Sequence, residues 1–212
     1  MKIKILSLMF LFVLQTGSLL ALDNYPFSVG VSIAGKTGVN AAEVPSGIQN
    51  AVSILSAMDA AAMVYIPMSN DSRTGIFVEL GYTNTPFGLK QLGCSATPSI
   101  NSYMNQKWLT VSPILMMSGL SVGLEFGFDA FKDWVDGNNM FGLLPVKKDD
   151  FNVTLRVGYM YPVWATSVGT LNFQINGTYN ITGANYSNYT YNPATISLGL
   201  NYLFNLDAGD DY

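Results

Sequence analysis

The chain has 212 residues, with 10 basic and 14 acidic side chains, no His, a single Cys, and only 11% of positions charged. Without His there is no histidine metal site, no His general base and no Ser-His triad, and one Cys, Cys94, makes no intramolecular disulfide. Soluble domains carry about 25% charged residues; this chain has 20 Gly, 12 Tyr and 12 Phe instead, a composition ordinary for a membrane barrel.

Residues 1–21 read as a secretory signal. Lys2 and Lys4 form the positive region, residues 5–14 (ILSLMFLFVL) the apolar region, and residues 15–21 (QTGSLLA) the cleavage region with Leu19 and Ala21 as its small-site pair. The apolar run falls short of the roughly 20 residues a helical span needs, and Gln15, Thr16, Gly17 and Ser18 argue against an uncleaved membrane helix. Removal of residues 1–21 takes two lysines and no acid, leaving 8 basic against 14 acidic residues, net −6. Nucleic acid is not an expected partner of such a chain. No run reaches the about 18 consecutive apolar residues of a membrane helix. A mature chain that enters a membrane therefore does so as strands, and those must close, because an open edge leaves unpaired amides and carbonyls in lipid.

Period-two alternation picks out eight strands. Residues 27–34, FSVGVSIA, set Phe27, Val29, Val31 and Ile33 against Ser28, Gly30, Ser32 and Ala34. Residues 60–68, AAAMVYIPM, are apolar on both faces, which leaves their register open; Pro67 belongs near the end because it cannot donate to a ladder. After a turn at 69–73, residues 75–83, GIFVELGYT, oppose Ile76, Val78, Leu80 and Tyr82 to Phe77, Glu79, Gly81 and Thr83. Residues 107–117, KWLTVSPILMM, place Leu109, Val111, Leu115 and Met117 opposite Thr110, Ser112, Ile114 and Met116, and Pro113 predicts a bulge or an irregular ladder. Ser118 and Gly119 make the next turn. Residues 120–128, LSVGLEFGF, alternate most cleanly, with Leu120, Val122, Leu124, Phe126 and Phe128 on one face and Glu125 amid small residues on the other. Residues 151–161 set Val153, Leu155, Val157 and Tyr159 against Asn152, Thr154, Arg156 and Gly158. Residues 170–182 set Leu171, Phe173, Ile175 and Tyr179 against Asn172, Gln174, Asn176, Thr178 and Asn180. Residues 194–204 close the series, with Ile196, Leu198, Leu200, Tyr202 and Phe204 opposite Thr195, Ser197, Gly199, Asn201 and Leu203.

Short connectors (69–73, 118–119, 162–169) alternate with long ones (35–59, 84–106, 129–150, 183–193). Short turns at one end and long loops at the other form the outer-membrane pattern; a soluble sandwich has no reason to sort its loops so. The expected fold is all-β: an eight-stranded antiparallel up-and-down transmembrane β-barrel over residues 22–206, with short periplasmic turns and long extracellular loops, then a short acidic tail at 207–212. Tyr159, Tyr161, Trp164, Tyr202 and Phe204 cluster at the short-turn end, as an aromatic girdle at the headgroup level would; mere packing in an aromatic-rich chain is the alternative. A soluble, lipocalin-like carrier needs an apolar interior, and Asn172, Gln174, Asn176, Thr178 and Asn180 are the opposite of one.

Through VELGYT (78–83), LRVGYMYPV (155–163) and ISLGLNYLF (196–204), the chain resembles the small eight-stranded outer-membrane barrels, the OmpA/OmpX-like group and the PorT-like barrels of Bacteroidota, over about residues 27–204. The resemblance implies a final strand ending in an aromatic, with a second aromatic two before it, read by the barrel-assembly machinery. Phe204 and Tyr202 match that assembly signal, although NLDAGDDY follows them and ends in Tyr212. No peptidoglycan-binding domain follows, so a tethering role does not carry over. The family's roles are adhesion, narrow pores, assembly and structure. Its enzymes rely on a His, so no catalysis is expected here.

Glu79, Glu125 and Arg156 are the charges that fall mid-strand and face inward. With Ser112 they lie near one depth, where an Arg fork bridging the carboxylates would neutralise most of the charge. Ser112, Asn172, Gln174, Asn176 and Asn201 complete a polar lining. Such a layer is either a constriction that selects or gates small cations, or a sealed interior held by polar pairing. An eight-stranded interior is just wide enough for side chains to fill, which favours the seal.

Of the long connectors, 35–59 reads two ways. Ile48, Val52 and Leu55 have helical spacing behind Pro45 and Ser46, or residues 51–68 are one long strand. The acids of 129–150 (Asp129, Asp133, Asp136, Asp149 and Asp150) match no calcium-loop motif and mix with lysines, so solvated charge is expected and no metal. Tyr and Asn in 183–193 suit contact with a surface glycan or protein. Cys94 is a buried small residue or an exposed thiol. The function expected is a monomeric outer-membrane protein with a structural, adhesion or surface-interaction role, no cofactor, and the export and barrel-assembly machinery and membrane lipid as partners. A narrow porin-like channel is the alternative.

Overall fold

Side chains that alternate apolar and polar along an extended backbone suit a sheet whose two faces meet different surroundings. The computed structural model describes residues 27–44, 46–68, 74–92, 100–129, 135–136, 150–186 and 189–206. Among these the strands are β1 (Ser28–Asn40), β2 (Ile48–Ala51), β3 (Ser53–Pro67), β4 (Thr74–Gln91), β5 (Ile100–Met117), β6 (Leu120–Phe128), β7 (Val135–Asp136), β8 (Phe151–Ala165), β9 (Gly169–Asn180), β10 (Ala184–Tyr186), β11 (Tyr189–Tyr191) and β12 (Pro193–Asn205). The expected signal region, the 69–73 turn, Cys94, most of 129–150 and the 207–212 tail lie outside the described residues.

The long strands pair antiparallel in a ring. β1 pairs with β3, β3 with β4, β4 with β5, β5 with β6, β6 with β8, β8 with β9, β9 with β12, and β12 with β1 again. From Ser28 the successive partners are Tyr65, Phe77, Ile114, Gly123, Arg156, Thr178 and Thr195, and the path returns to β1 at Gly38, ten residues beyond its start. A ring closed with such a stagger has tilted strands, typically by roughly 35–45°. β2 extends the edge of β4, β7 that of β5, and β10 and β11 form a separate small hairpin.

Exposure follows the alternation. On β6 Leu120, Val122 and Leu124 are 47%, 45% and 37% exposed, while Ser121 and Glu125 on the opposite face are 7% and 6% exposed. The same inversion runs round the ring: Val31, Leu80, Leu155, Ile175 and Leu198 are exposed outside, and Asn152, Asn172, Gln174, Ser197 and Asn201 are buried inside. In residues 60–68 the open register resolves with Met63 and Tyr65 inward, and Ala62 and Ile66 outward.

Ser118 (φ 51°) and Gly119 (φ 91°) both adopt positive φ, as the central pair of a two-residue type I′ hairpin must. The ladder from β5 to β6 breaks at Pro113: the pairs Val111–Phe126 and Ile114–Gly123 keep one register, with no pairing between them. Pro113 has no N–H to give, so the break costs the ladder donors without shifting it.

Two expected loops are largely strand. β1 runs on to Asn40, and β4 and β5 pair over 18 positions, from Thr74–Met117 to Gln91–Ile100. Residues 48–51 and 53–67 are strand, so the helical reading of the first connector gives way to the extended one. Backbone ladders continue there although the outer face is no longer uniformly apolar, which is why the alternation signal stopped short.

Candidate functional site

The interior is layered. At the short-turn end it is filled by Met63, Tyr65, Phe77, Ile114, Met116, Met160 and Leu203, all buried in one cluster. Tyr65 and Phe77, directly paired across β3 and β4, bring their rings to 4.8 Å. An interior closed by polar side chains alone is therefore corrected: apolar packing closes this end. These residues continue the inward faces of β3, β4, β5, β8 and β12, where the lumen is too narrow to keep water beside them.

Above them lies a charged layer. Arg156 on β8 reaches across the ring to Glu79 on β4; its Nη1 donates to Glu79 Oε2 and its Nη2 to Glu79 Oε1 at 3.3 Å. A guanidinium fork on both oxygens of one carboxylate is the strong form of this pair. The expected bridging of both carboxylates is corrected: Glu125, 6% exposed, makes no hydrogen bond or ion pair among the described residues. Glu125 pairs with Thr154 while Arg156 pairs with Gly123, so the two sit diagonally on neighbouring strands, and both guanidinium nitrogens already serve Glu79.

A second pair went unseen in the sequence. Lys36 on β1, 2% exposed, stands 2.7 Å from Asp59 on β3 and donates to Thr83 Oγ1 at 2.6 Å; Thr83 donates in turn to Asp59. Both charges fall in a stretch read as loop, where no face could be assigned. Asp59 sits where β3 and β4 part, since their ladder ends at Ala60–Tyr82. Side chains take over beyond it: Asn84 Nδ2 donates to the Met58 carbonyl at 3.1 Å.

From Thr83 to Leu89 every residue of β4 is buried, so this stretch has no outward face. The arm crosses to the inner face of β1, where a Cβ on Gly38 would overlap the Pro86 carbonyl; only a glycine permits that approach. Phe87 stacks on Tyr191 with centroids 5.7 Å apart. Tyr191 is thus buried at the loop end, a correction to its expected place on a binding surface.

The other expected residues are placed as follows. Ser112, Asn172, Gln174, Asn176 and Asn201 are all buried inside. Asn172 donates to Asn201 at 2.9 Å and Asn201 to Gln174 at 3.1 Å, a chain of amides down the β9–β12 seam; Asn176 reaches Ser197 at 3.5 Å, and Thr178 and Thr195 share a bond of 2.6 Å. Tyr159, Tyr161 and Tyr202 are half-buried on the outer face, Trp164 and Phe204 are exposed, and Tyr202 meets Phe204 edge-on at 4.6 Å. Toward the loop end, buried Gln106, Trp108 Nε1 and Asn152 have no hydrogen-bond partner among the described residues.

Inside the ring the open space is small. A cavity of about 20 Å³ lies among Asp59, Glu79, Thr110, Glu125, Arg156 and Asn176, and one of about 10 Å³ lies below it beside Phe77 and Met160. Each has room for about one water-sized particle. Among the described residues no group of three or more His, Cys, Asp or Glu is placed to hold a metal ion.

No family model and no curated protein matches the chain. Among solved structures it is similar to the outer membrane protein OprG from Pseudomonas aeruginosa, at 11% identity over 87% of this chain and 99% of that chain, with a TM-score of 0.37. At that distance the reading rests on the chain's own residues.

Proposed function

We propose that the protein is a closed eight-stranded β-barrel of the outer membrane, exported and cleaved near Ala21, with a structural or surface-interaction role and no catalytic one. The observation that carries this reading is the inversion of the ring: apolar side chains outside, polar and charged ones inside. A soluble protein seldom exposes a contiguous apolar patch beyond a few hundred Å²; here exposed Leu, Val, Ile and Phe recur on every long strand of the ring. In lipid the same belt is satisfied, and a ring without edges keeps its backbone paired there except at the interruption beside Pro113. Tyr159, Tyr161, Trp164, Tyr202 and Phe204 would mark its periplasmic rim, with Tyr202 and Phe204 the assembly signal.

The small cavities, the apolar end and the inward arm of β4 favour a sealed interior over a channel. With transport disfavoured, contact through the parts that rise beyond the lipid is the remaining role, its ligand a surface glycan or protein. Envelope fractionation with electrophoresis before and after heating tests the placement. A heat-modifiable band in the outer-membrane fraction is expected, and a soluble periplasmic protein would end the reading. Planar bilayers test the seal: no steady conductance is expected, and reproducible single-channel steps would revive the pore.

A further inference from the structure

Among the described residues the interior charges do not balance. Lys36 is engaged with Asp59 and Arg156 with both oxygens of Glu79, which leaves Glu125 over. A buried carboxylate that no cation contacts is costly, because burial removes its water and only distant charges answer it. Glu125 nevertheless lines a cavity with room for one water-sized particle. The ladder between β5 and β6 is interrupted beside it, at Ser112 and Pro113.

We propose that this cavity binds one alkali cation of sodium or potassium size, with Glu125 as its charged ligand. Thr110, Gln174 and Asn176 line the space beside Glu125, and their side-chain oxygens are hard oxygens of the kind such ions take; Arg156 lines it too, with its guanidinium engaged by Glu79. One unbalanced negative charge matches one monovalent cation. A divalent ion would overcompensate it, and of the three carboxylates around the cavity Asp59 and Glu79 are already held by Lys36 and Arg156. A water molecule would fill the space and leave the charge, a proton on Glu125 would cancel the charge and leave the space, and an anion would double the charge. Asp59, whose side chain is 26% exposed, lines the same cavity and marks the side from which an ion enters. Because Lys36 already holds Asp59, the incoming ion has Glu125 as its terminus.

The test uses the folded full chain in a zwitterionic detergent at neutral pH and fixed ionic strength, with sodium or potassium chloride replacing N-methyl-D-glucamine chloride. Wild-type Tm should rise saturably with the small cation, by roughly 2–4 °C or more. Glu125→Gln should show no such rise, and in cation-free buffer it should melt above wild type, since the uncompensated charge is gone. Asp129→Asn, outside the cavity, should behave as wild type. A flat wild-type response, or an equal rise in Glu125→Gln, overturns the site. If Glu125→Gln does not fold, crystals of the wild type soaked in rubidium decide the matter. An anomalous peak within bonding distance of Glu125 supports the site, and an empty cavity overturns it.

Discussion

Toward the Ser118–Gly119 turn, the interior is Met63, Tyr65, Phe77, Ile114, Met116 and Met160, packed on strands whose exposed and buried residues alternate, save at the end of β8 where the register shifts between Pro162 and Trp164. Toward the long connectors, β4 is buried on both faces from 83 to 89, the β1–β3 register slips between Lys36 and Gly38, and Gln106, Trp108 and Asn152 keep unpartnered polar atoms. The first half is a wall with one outside and one inside. The second is a wall whose own strand, β4, parts from β3 while still paired with β5 and becomes the filling. What divides them is the charged layer, where Asp59 and Asn84 replace backbone pairing with side-chain bonds.

If that division is real, damage to the lower half should cost global stability. Phe77→Ala removes a ring at 1% exposure and should cost about 3–5 kcal/mol in equilibrium unfolding in detergent; a loss under about 1 kcal/mol would mean that the end is loosely packed. Arg156→Ala should cost about 3–5 kcal/mol as well, because it leaves Glu79 buried without its partner beside the unpaired Glu125. Glu79→Ala should cost less, since Arg156 then has Glu125 on the neighbouring strand. Equal unfolding curves for the two variants would show that Glu79, Glu125 and Arg156 do not share one network.

Leu124→Arg probes the outer face at mid-depth and should cost about 2–4 kcal/mol in a lipid bilayer. A change within about 0.5 kcal/mol, the range of a bland surface substitution, would contradict the face assignment. The upper half should respond differently. Phe87→Ala should speed amide exchange through residues 83–91 while shifting global unfolding by only about 0.5–3 kcal/mol. Equal acceleration in β6 would erase the distinction between the halves.

Legibility in the sequence follows the same division. Where lipid-type and interior-type residues must alternate, as in residues 120–128 or 194–204, the pattern assigned each face, and Glu79, Glu125 and Arg156 were legible as inward. Residues 60–68 resisted because Ala60, Ala61 and Ala62 are small enough for either face. Lys36, Asp59 and the buried arm were not legible, because ladders there continue past the apolar belt and period-two hydrophobicity no longer reports them. The apolar end was half visible: Phe77, Ile114 and Met116 stood on the inward faces, but only the stagger that returns Ser28 to Gly38 brings them to one level.

The most direct test of the inverted ring is the accessibility of spin labels placed one at a time on β6, at Ser121, Val122, Leu124, Glu125 and Phe126, with Cys94 replaced by Ser, in lipid vesicles. Oxygen, which concentrates in lipid, should reach labels at Val122, Leu124 and Phe126, and a water-soluble nickel chelate should reach none of the five. Nickel access at Val122 and Leu124 would place the apolar face in water, and nickel access at Glu125 would mean a water-filled lumen.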